Sequence, residues 1–257
     1  MELVVESLNH NFGATTVLEN IELTARETEI LVVIGPSGCG KSTLLSIMGG
    51  LLKPTSGMVS TRGSVPKGCL NPITYVFQDF ALLPWRTVSG NVDLALERSG
   101  LPAAERRERI ADVLARTNLS DFADAFPKQL SGGMRQRCGL ARALVVQPAI
   151  MLMDEPLSAL DAQTRELLMD DFIDLWAREK TTGVYITHNL DEATRLADRV
   201  IILSRRPGKI KEIVEIPYPR ADRLRPDVAG ELATIHSRLW GLLRQDAAVA
   251  DREVVDV

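Results

Sequence analysis

The segment Gly35-Pro36-Ser37-Gly38-Cys39-Gly40-Lys41-Ser42-Thr43 restricts the fold more than any other stretch of this chain. It satisfies G-x-x-x-x-G-K-[ST]. It also lies between Ile30-Leu31-Val32-Val33-Ile34, a continuously apolar run of the kind buried on both faces of a sheet, and a helix predicted over Lys41 to Leu52. Strand, glycine-rich turn and helix in that order form a βα unit whose turn can cradle phosphate. Glycines let backbone N–H groups converge on phosphate oxygens, and the helix N-terminus adds partial positive charge. Lys41 adds a full charge, and the Ser42 hydroxyl can ligate magnesium. The expected ligand is a nucleoside triphosphate. A turn that only joined strand to helix would need neither the lysine nor the hydroxyl. The mechanism does not use the Cys39 side chain, although a place before a helix is one that lowers a thiol pKa.

Other segments supply what a triphosphate site needs. Ile150-Met151-Leu152-Met153 reads as a buried strand and ends in Asp154-Glu155-Pro156, so two carboxylates leave the sheet where open α/β sheets bind ligands. Asp154 suits a magnesium shell, and Glu155 can polarise an attacking water. His188 follows the strand Val184-Tyr185-Ile186-Thr187 and leaves at the same edge, a candidate donor to a terminal phosphate; taken alone it would read as structural. Gln78, in Tyr75-Val76-Phe77-Gln78-Asp79, precedes a helical segment and can reach magnesium or water with its amide oxygen. Leu130-Ser131-Gly132-Gly133-Met134-Arg135-Gln136-Arg137 is a second glycine-bearing helix start, with Ser131 as an ordinary cap or a phosphate donor. Two phosphate-binding helix ends in one chain imply that the second completes a site on another molecule. That gives a two-fold dimer with two triphosphates between its subunits.

The remaining chain fills in an α/β scaffold. Leu3 to Leu23 suggests antiparallel edge strands, and Thr87 to Thr117 is helical in character, as is Gly132 to Val146. A helix over Thr164 to Lys180 and a strand over Val200 to Leu203 continue the alternation that implies a mainly parallel sheet. Val228, Leu232, Ile235, Leu239 and Leu242 form the stripe of an amphipathic helix. The expected organisation is one domain over 1–246 with an inserted helical subdomain at about 86–146, a C-terminal helix at about 226–245 and a flexible tail at 247–257. Net charge of −4 and a pI near 5.5 supply no basic field, so no nucleic-acid partner is expected. Three scattered cysteines fit a reducing, cytosolic compartment. The start lacks a signal-peptide pattern, and every apolar run is far shorter than the roughly 20 residues of a membrane span. Any transport role therefore needs a partner with its own spans.

Taken together, Phe12, Gly35 to Thr43, Gln78, Leu130 to Gln136, Met151 to Glu155, Ser158-Ala159-Leu160-Asp161 and His188 resemble the ATP-binding cassette family, in its order and over nearly the whole chain. The Leu130 to Gln136 segment is close to diagnostic, whereas the phosphate loop alone also admits kinases. The resemblance implies an α/β fold built on a P-loop NTPase core, with a mainly parallel sheet, an antiparallel β edge and a helical subdomain. It implies ATP and Mg2+ as ligands, Phe12 as the adenine-stacking aromatic, and Ser42, Gln78 and Asp154 around the metal. Glu155 would be the catalytic base, with Lys41 and His188 stabilising charge on the γ-phosphate. Ser131 and Gly133, in one segment with Gly132 and Gln136, would touch a partner's γ-phosphate, and Asp161 would communicate across a head-to-tail dimer of two copies.

Leu82-Leu83-Pro84-Trp85-Arg86-Thr87-Val88 with Asn91-Val92, and Leu203 to Ile210, resemble the importer subgroup for nitrate, sulfonate and taurine. That subgroup implies transmembrane permease subunits, an indirect link to a periplasmic or extracellular solute-binding protein, and a peripheral position on the cytoplasmic face of the inner membrane. Phe80, Leu82, Leu83 and Trp85 form an apolar cluster that would either dock the permease or pack in the core. Two residues depart from the family pattern: Asn189 follows His188 where aspartate is usual, and Thr28 replaces a common glycine. A non-transport cassette ATPase would show a coiled-coil insertion or tandem cassettes, and a small-molecule kinase would leave Leu130 to Gln136 without a purpose.

Overall fold

The computed structural model describes residues 1–179 and 181–255, and the chain divides into two units. One holds Met1–Gly63 with the chain from Thr182 onward; the other is Ser64–Thr181.

In the first unit, β1 (Glu2–Phe12), β2 (Thr15–Ala25) and β4 (Ser56–Arg62) form an antiparallel sheet in the order β2-β1-β4, the expected antiparallel region. β3 (Ile30–Ile34) runs parallel to both β7 (Thr182–Ile186) and β8 (Arg199–Leu203), with Val32 opposite Tyr185 on one side and Val200 on the other. Every residue of β3 is at most 1% exposed, which is why a strand with neighbours on both edges and cover on both faces is spelled entirely in apolar, mostly β-branched residues. β9 (Ile210–Glu215) closes this part of the sheet antiparallel to β8.

Among the described residues, three α-helices complete the unit. α1 (Lys41–Met48) stops earlier than the predicted Leu52, because Gly49-Gly50 follows and Gly50 turns left-handed at φ 70°. α6 is Leu190–Leu196, and α7 is Pro226–Val255, longer than the predicted 226–245. Of the predicted tail, residues 256 and 257 lie outside the described residues. The last carbonyls of α6 are satisfied from a distance: Arg223 donates to the Thr194 and Arg195 carbonyls, and Arg220 to that of Leu196.

In the second unit, β5 (Ile73–Val76) pairs in parallel with β6 (Ile150–Asp154), Tyr75 opposite Leu152. Helices α2 (Val88–Asp93), α3 (Ala103–Arg116), α4 (Gly132–Leu144) and α5 (Ala162–Arg178) accompany them. The helical run predicted over Thr87 to Thr117 is broken: a short 3₁₀ turn at Leu94–Leu96 follows α2, then Gly100 at φ 74° and Pro102 interrupt the chain before α3. α3 buries Ile110, Val113 and Leu114 and leaves its charged residues outside, as its periodicity requires.

Candidate functional site

The first unit carries the phosphate loop. Gly38 and Gly40 adopt φ of 74° and 103°, conformations that side chains disfavour, and a Cβ on Gly40 would stand 2.8 Å from Leu18 Cδ2. β2 thus packs against the loop too closely for any residue but glycine. Gly35 is fitted as closely, since its Cβ would stand 2.9 Å from Cys39 Sγ. Cys39 is 1% exposed and its amide N–H donates to the Pro36 carbonyl at 3.3 Å, so it contributes backbone to the loop and packs its thiol inward. The Lys41 ammonium, 8% exposed, donates to the Gly35 and Pro36 carbonyls at 2.9 and 3.1 Å. A cation is therefore held inside the loop at the start of α1, where the helix dipole has the same sign. Ser37, Gly38 and Ser42 are exposed, while Thr43 is half-buried.

Phe12 ends β1 with 54% of its surface exposed, a free aromatic face in the same unit as the loop. Its ring meets His10 edge-on, with centroids 4.6 Å apart and planes at 84°. His188, exposed, leaves β7 at its C-terminal end. Buried Glu192 fixes that exit by accepting from the hydroxyls of Tyr185 at 2.8 Å and Thr187 at 2.7 Å. Asn189 caps α6, its Oδ1 accepting from the Asp191 and Glu192 amides. An aspartate would accept the same bonds, so this departure is neutral for the loop that carries His188.

The second unit carries the carboxylates. Asp154 ends β6 and its Oδ2 accepts from the Tyr75 hydroxyl at 3.4 Å. Glu155 comes next at φ 45°, a left-handed backbone that is costly for any residue but glycine. Ser158 steadies it: the Ser158 hydroxyl donates to the Glu155 carbonyl at 2.8 Å and accepts from Gln78 Nε2 at 3.2 Å. Gln78, Ser158 and Glu155 thus form a connected chain of hydrogen bonds within this unit. Gln78 is exposed, and with its NH2 donating to Ser158 its amide oxygen is the remaining polar atom for a ligand.

Ser131 caps α4, accepting from the Met134 amide at 3.2 Å, and keeps its hydroxyl proton to donate elsewhere. Gly133 is buried: a Cβ there would stand 3.0 Å from Leu168 Cδ1. Gly132 is less crowded, with Leu160 Cδ2 at 3.3 Å from the same point. Gln136 was expected with these residues toward a nucleotide. Its side chain instead is 6% exposed and lines a cleft of about 160 Å³, open to solvent on one side, beside Arg116, Arg137 and Asp171. One turn and more past the cap, position 136 faces the helix packing rather than the helix end. Asp161 is exposed and caps α5, where the Thr164 amide and then its hydroxyl hold the carboxyl below its ordinary pKa.

The predicted permease dock is smaller than expected. Phe80 is 8% exposed and packs on Gly139 of α4, because Phe80 and Ala81 are both left-handed and Arg142 of α4 binds their carbonyls. Trp85 is 71% exposed, with Leu82 and Leu83 half-buried. Fully buried Asn91 shapes this loop, accepting from the Leu83 amide at 2.7 Å and donating to the Leu83, Arg86 and Thr87 carbonyls.

Residues 18–158 match the sequence pattern of a protein family described as ABC transporter. The chain belongs to the ABC transporter family. It is 42% identical over 244 residues to a putative ATP-binding protein of Brucella abortus, spanning 94% of this chain and 93% of that one. It is 48% identical over 199 residues to a taurine import ATP-binding protein of Burkholderia thailandensis, 77% of this chain and 76% of that one. Among solved structures, an ATP-binding cassette in a dimeric post-hydrolysis state with ADP and Pi superposes with a TM-score of 0.71 and 33% identity, over 84% of this chain and 99% of that chain. The fold is the ABC ATPase fold, and the chain is an ATP-binding ATPase of that family.

Two contributors to this ABC ATPase site, Ser158 and Tyr75, were passed over in the sequence, and one departure noted there finds its cause. Ser158 stood in a family segment without a role, and only its spacing of three from Glu155, the reach of a hydroxyl back to a turn carbonyl, hints at its bond. Tyr75 stood three residues before Gln78 with no signal pointing to Asp154. Thr28 is left-handed at φ 63°, which is the physical reason that glycine is usual there.

Proposed function

We propose that this chain is the ATP-hydrolysing subunit of an importer for a small anionic solute of the nitrate, sulfonate or taurine type. It would work as a head-to-tail pair of copies docked peripherally on the cytoplasmic face of a transmembrane permease. One observation carries the reading: the chain holds both a phosphate loop with a caged lysine and a second glycine-bearing helix start capped by Ser131, whose hydroxyl proton is still available. A nucleotide on the loop of one copy and the Ser131 end of the other is the economical use of both. The relative named for taurine import supports the solute class. No helix among the described residues is long and apolar enough to cross a membrane, which fits a separate permease.

In this reading Phe12 stacks the adenine, Lys41 and the loop amides hold the β- and γ-phosphates, and Ser131 and Gly133 of the opposite copy complete the γ-phosphate site. Nucleotide then favours the closed pair, because only closure supplies the second set of contacts. Glu155 accepts the proton of the attacking water, and Lys41 and His188 stabilise the charge that develops on the γ-phosphoryl group. The oxygen donors Ser42, Asp154 and Gln78 are the hard ligands that Mg2+ prefers, and Tyr75 on Asp154 is the kind of outer partner that orients such a ligand. Bound there, the ion would neutralise phosphate charge. Asp161 would communicate between the copies, and Trp85 would meet the permease.

The test is Glu155→Gln. ATP binding survives, phosphate release falls by about 10²-fold or more, and the variant dimerises with ATP, because the amide keeps the size of the side chain and loses its basicity. Near-normal phosphate release would remove Glu155 from its role. Failure to dimerise with ATP, in the presence of normal binding, would remove the sandwich.

A further inference from the structure

The connection between β8 and β9 touches the phosphate loop in ways that none of the roles above requires. Its tip is closed on itself: the Ser204 amide donates to the Lys209 carbonyl at 2.9 Å, the Lys209 amide to Ser204 Oγ at 3.0 Å, and Ser204 Oγ to the Pro207 carbonyl at 3.0 Å. The same tip is fastened to β2, since the Gly208 amide donates to the Val17 carbonyl at 2.8 Å and the Glu19 amide to the Gly208 carbonyl at 3.0 Å. Lys209 Nζ adds an ion pair with Glu19 at 2.7 Å. From this anchored position Arg206 donates through Nε and Nη2 to the Gly38 carbonyl, at 3.2 and 3.0 Å. Two residues on, Gly208 lies so near the loop that a Cβ would stand 2.2 Å from the Cys39 carbonyl oxygen.

We propose that the turn Ser204 to Lys209 is a brace for the phosphate loop and that Arg206 is a positioning residue for ATP binding. The inference rests on the phosphate loop being the nucleotide site. Gly38 is left-handed at φ 74°, and glycine has the widest backbone freedom to lose on becoming ordered. The Gly38–Cys39 peptide is nevertheless held at both ends, its carbonyl by the Arg206 fork and its N–H by the Pro36 carbonyl. Pro36 O is also one of the two acceptors of the Lys41 ammonium. Arg206 therefore acts on the atoms that place Lys41, through a single peptide plane. A loop held in its binding conformation spends less of the nucleotide's interaction energy on ordering, so the brace raises affinity without touching the reacting atoms. Arg206 also fixes a positive charge at the rim of a site for an anion.

The experiment compares the full chain with Arg206→Gln, Arg206→Lys, Gly208→Ala and Lys41→Ala by calorimetric titration with ATP and Mg2+, steady-state ATP turnover and thermal midpoint without nucleotide. Arg206→Gln is expected to weaken ATP binding about three- to tenfold, the scale of one charge-assisted bond in a solvent-accessible place. KM rises in proportion, kcat at saturation changes little, and the midpoint stays put. Arg206→Lys restores part of the affinity, because an ammonium keeps the charge and lacks the fork. Gly208→Ala, which must push the Cys39 carbonyl, shifts affinity in the same direction as Arg206→Gln. Unchanged affinity in Arg206→Gln, with binding lost in Lys41→Ala, overturns the brace and leaves the nucleotide site standing. Affinity, kcat and midpoint falling together in Arg206→Gln also overturns it, since that pattern belongs to general destabilisation. Normal binding in Lys41→Ala would overturn the nucleotide site itself and the brace with it.

Discussion

Ser158→Ala isolates the support beneath the proposed catalytic base. The hydroxyl makes two bonds, one to the Glu155 carbonyl at 2.8 Å and one from Gln78 at 3.2 Å. Removing it takes one of the two Ser158 bonds from the carbonyl of Glu155, which stands at φ 45°, and leaves the one from the Ser158 backbone amide, 3.1 Å away. A left-handed conformation costs a non-glycine residue about 1–2 kcal/mol, and one neutral hydrogen bond returns about 1 kcal/mol. Losing that bond therefore removes a restraint comparable to the strain it opposes, and the fraction of molecules with Glu155 in its observed backbone falls by up to about fivefold. Turnover at saturating ATP should fall with it, by up to about fivefold. ATP affinity should stay within about twofold, because Ser158 is not one of the loop's phosphate-binding groups. The assay is steady-state phosphate release beside a binding titration. Unchanged turnover would show that the carbonyl bond does not hold Glu155, and a parallel loss of affinity would show that Ser158 acts on binding instead.

Two further predictions concern the scaffold. Thr28→Gly should stabilise the protein: relief of a left-handed, β-branched residue is worth about 1–2 kcal/mol and the added chain entropy of glycine costs about 0.5–1 kcal/mol. For a chain of this length the net gain is a rise of about 1–2 °C in thermal midpoint, with the Thr28 amide still bound to Thr182 Oγ1 at 3.0 Å; a lower midpoint would show that the Thr28 side chain matters more than its strain. Burial pushes the Cys138 thiol up to about 11, so its thiolate forms only as pH rises toward that value, while Cys69 is partly exposed. Alkylation of the native protein at pH 8, read by mass spectrometry, should therefore mark Cys69 and spare Cys138, and early loss of the Cys138 thiol would contradict the packing of α4.

What could be read from the sequence was what neighbouring residues accomplish together. The phosphate loop, the carboxylates at the end of β6 and the cap of α4 each lie within nine consecutive residues, and each has chemistry that follows from spacing alone. β3 was equally plain, because burial on both faces leaves only one kind of residue to choose. β4 was missed for the opposite reason: Ser56–Arg62 is mostly exposed, so nothing but its pairing with β1 makes it a strand. The displaced expectations for Phe80 and Gln136 share another cause. Both depend on α4, which draws Phe80 inward through Gly139 and Arg142 and turns Gln136 into a helix-lined cleft. Backbone sign was legible at some positions and hidden at others. Thr28 stood out where glycine is usual, whereas Glu155, Phe80 and Ala81 are equally left-handed and carry no mark of it in the sequence. Left-handed non-glycine residues persist where surrounding bonds over-determine them. Ser158 at Glu155, three residues on, and Arg142 at Phe80 and Ala81, some sixty residues on, are those bonds, and only the first lies within reach of a local pattern. The base is thus held by Ser158, which opens a family segment, and the exit of the Gln78 segment by Arg142, which lies in none of the quoted motifs. Variants at Arg142 would therefore separate a motif's presence from its geometry.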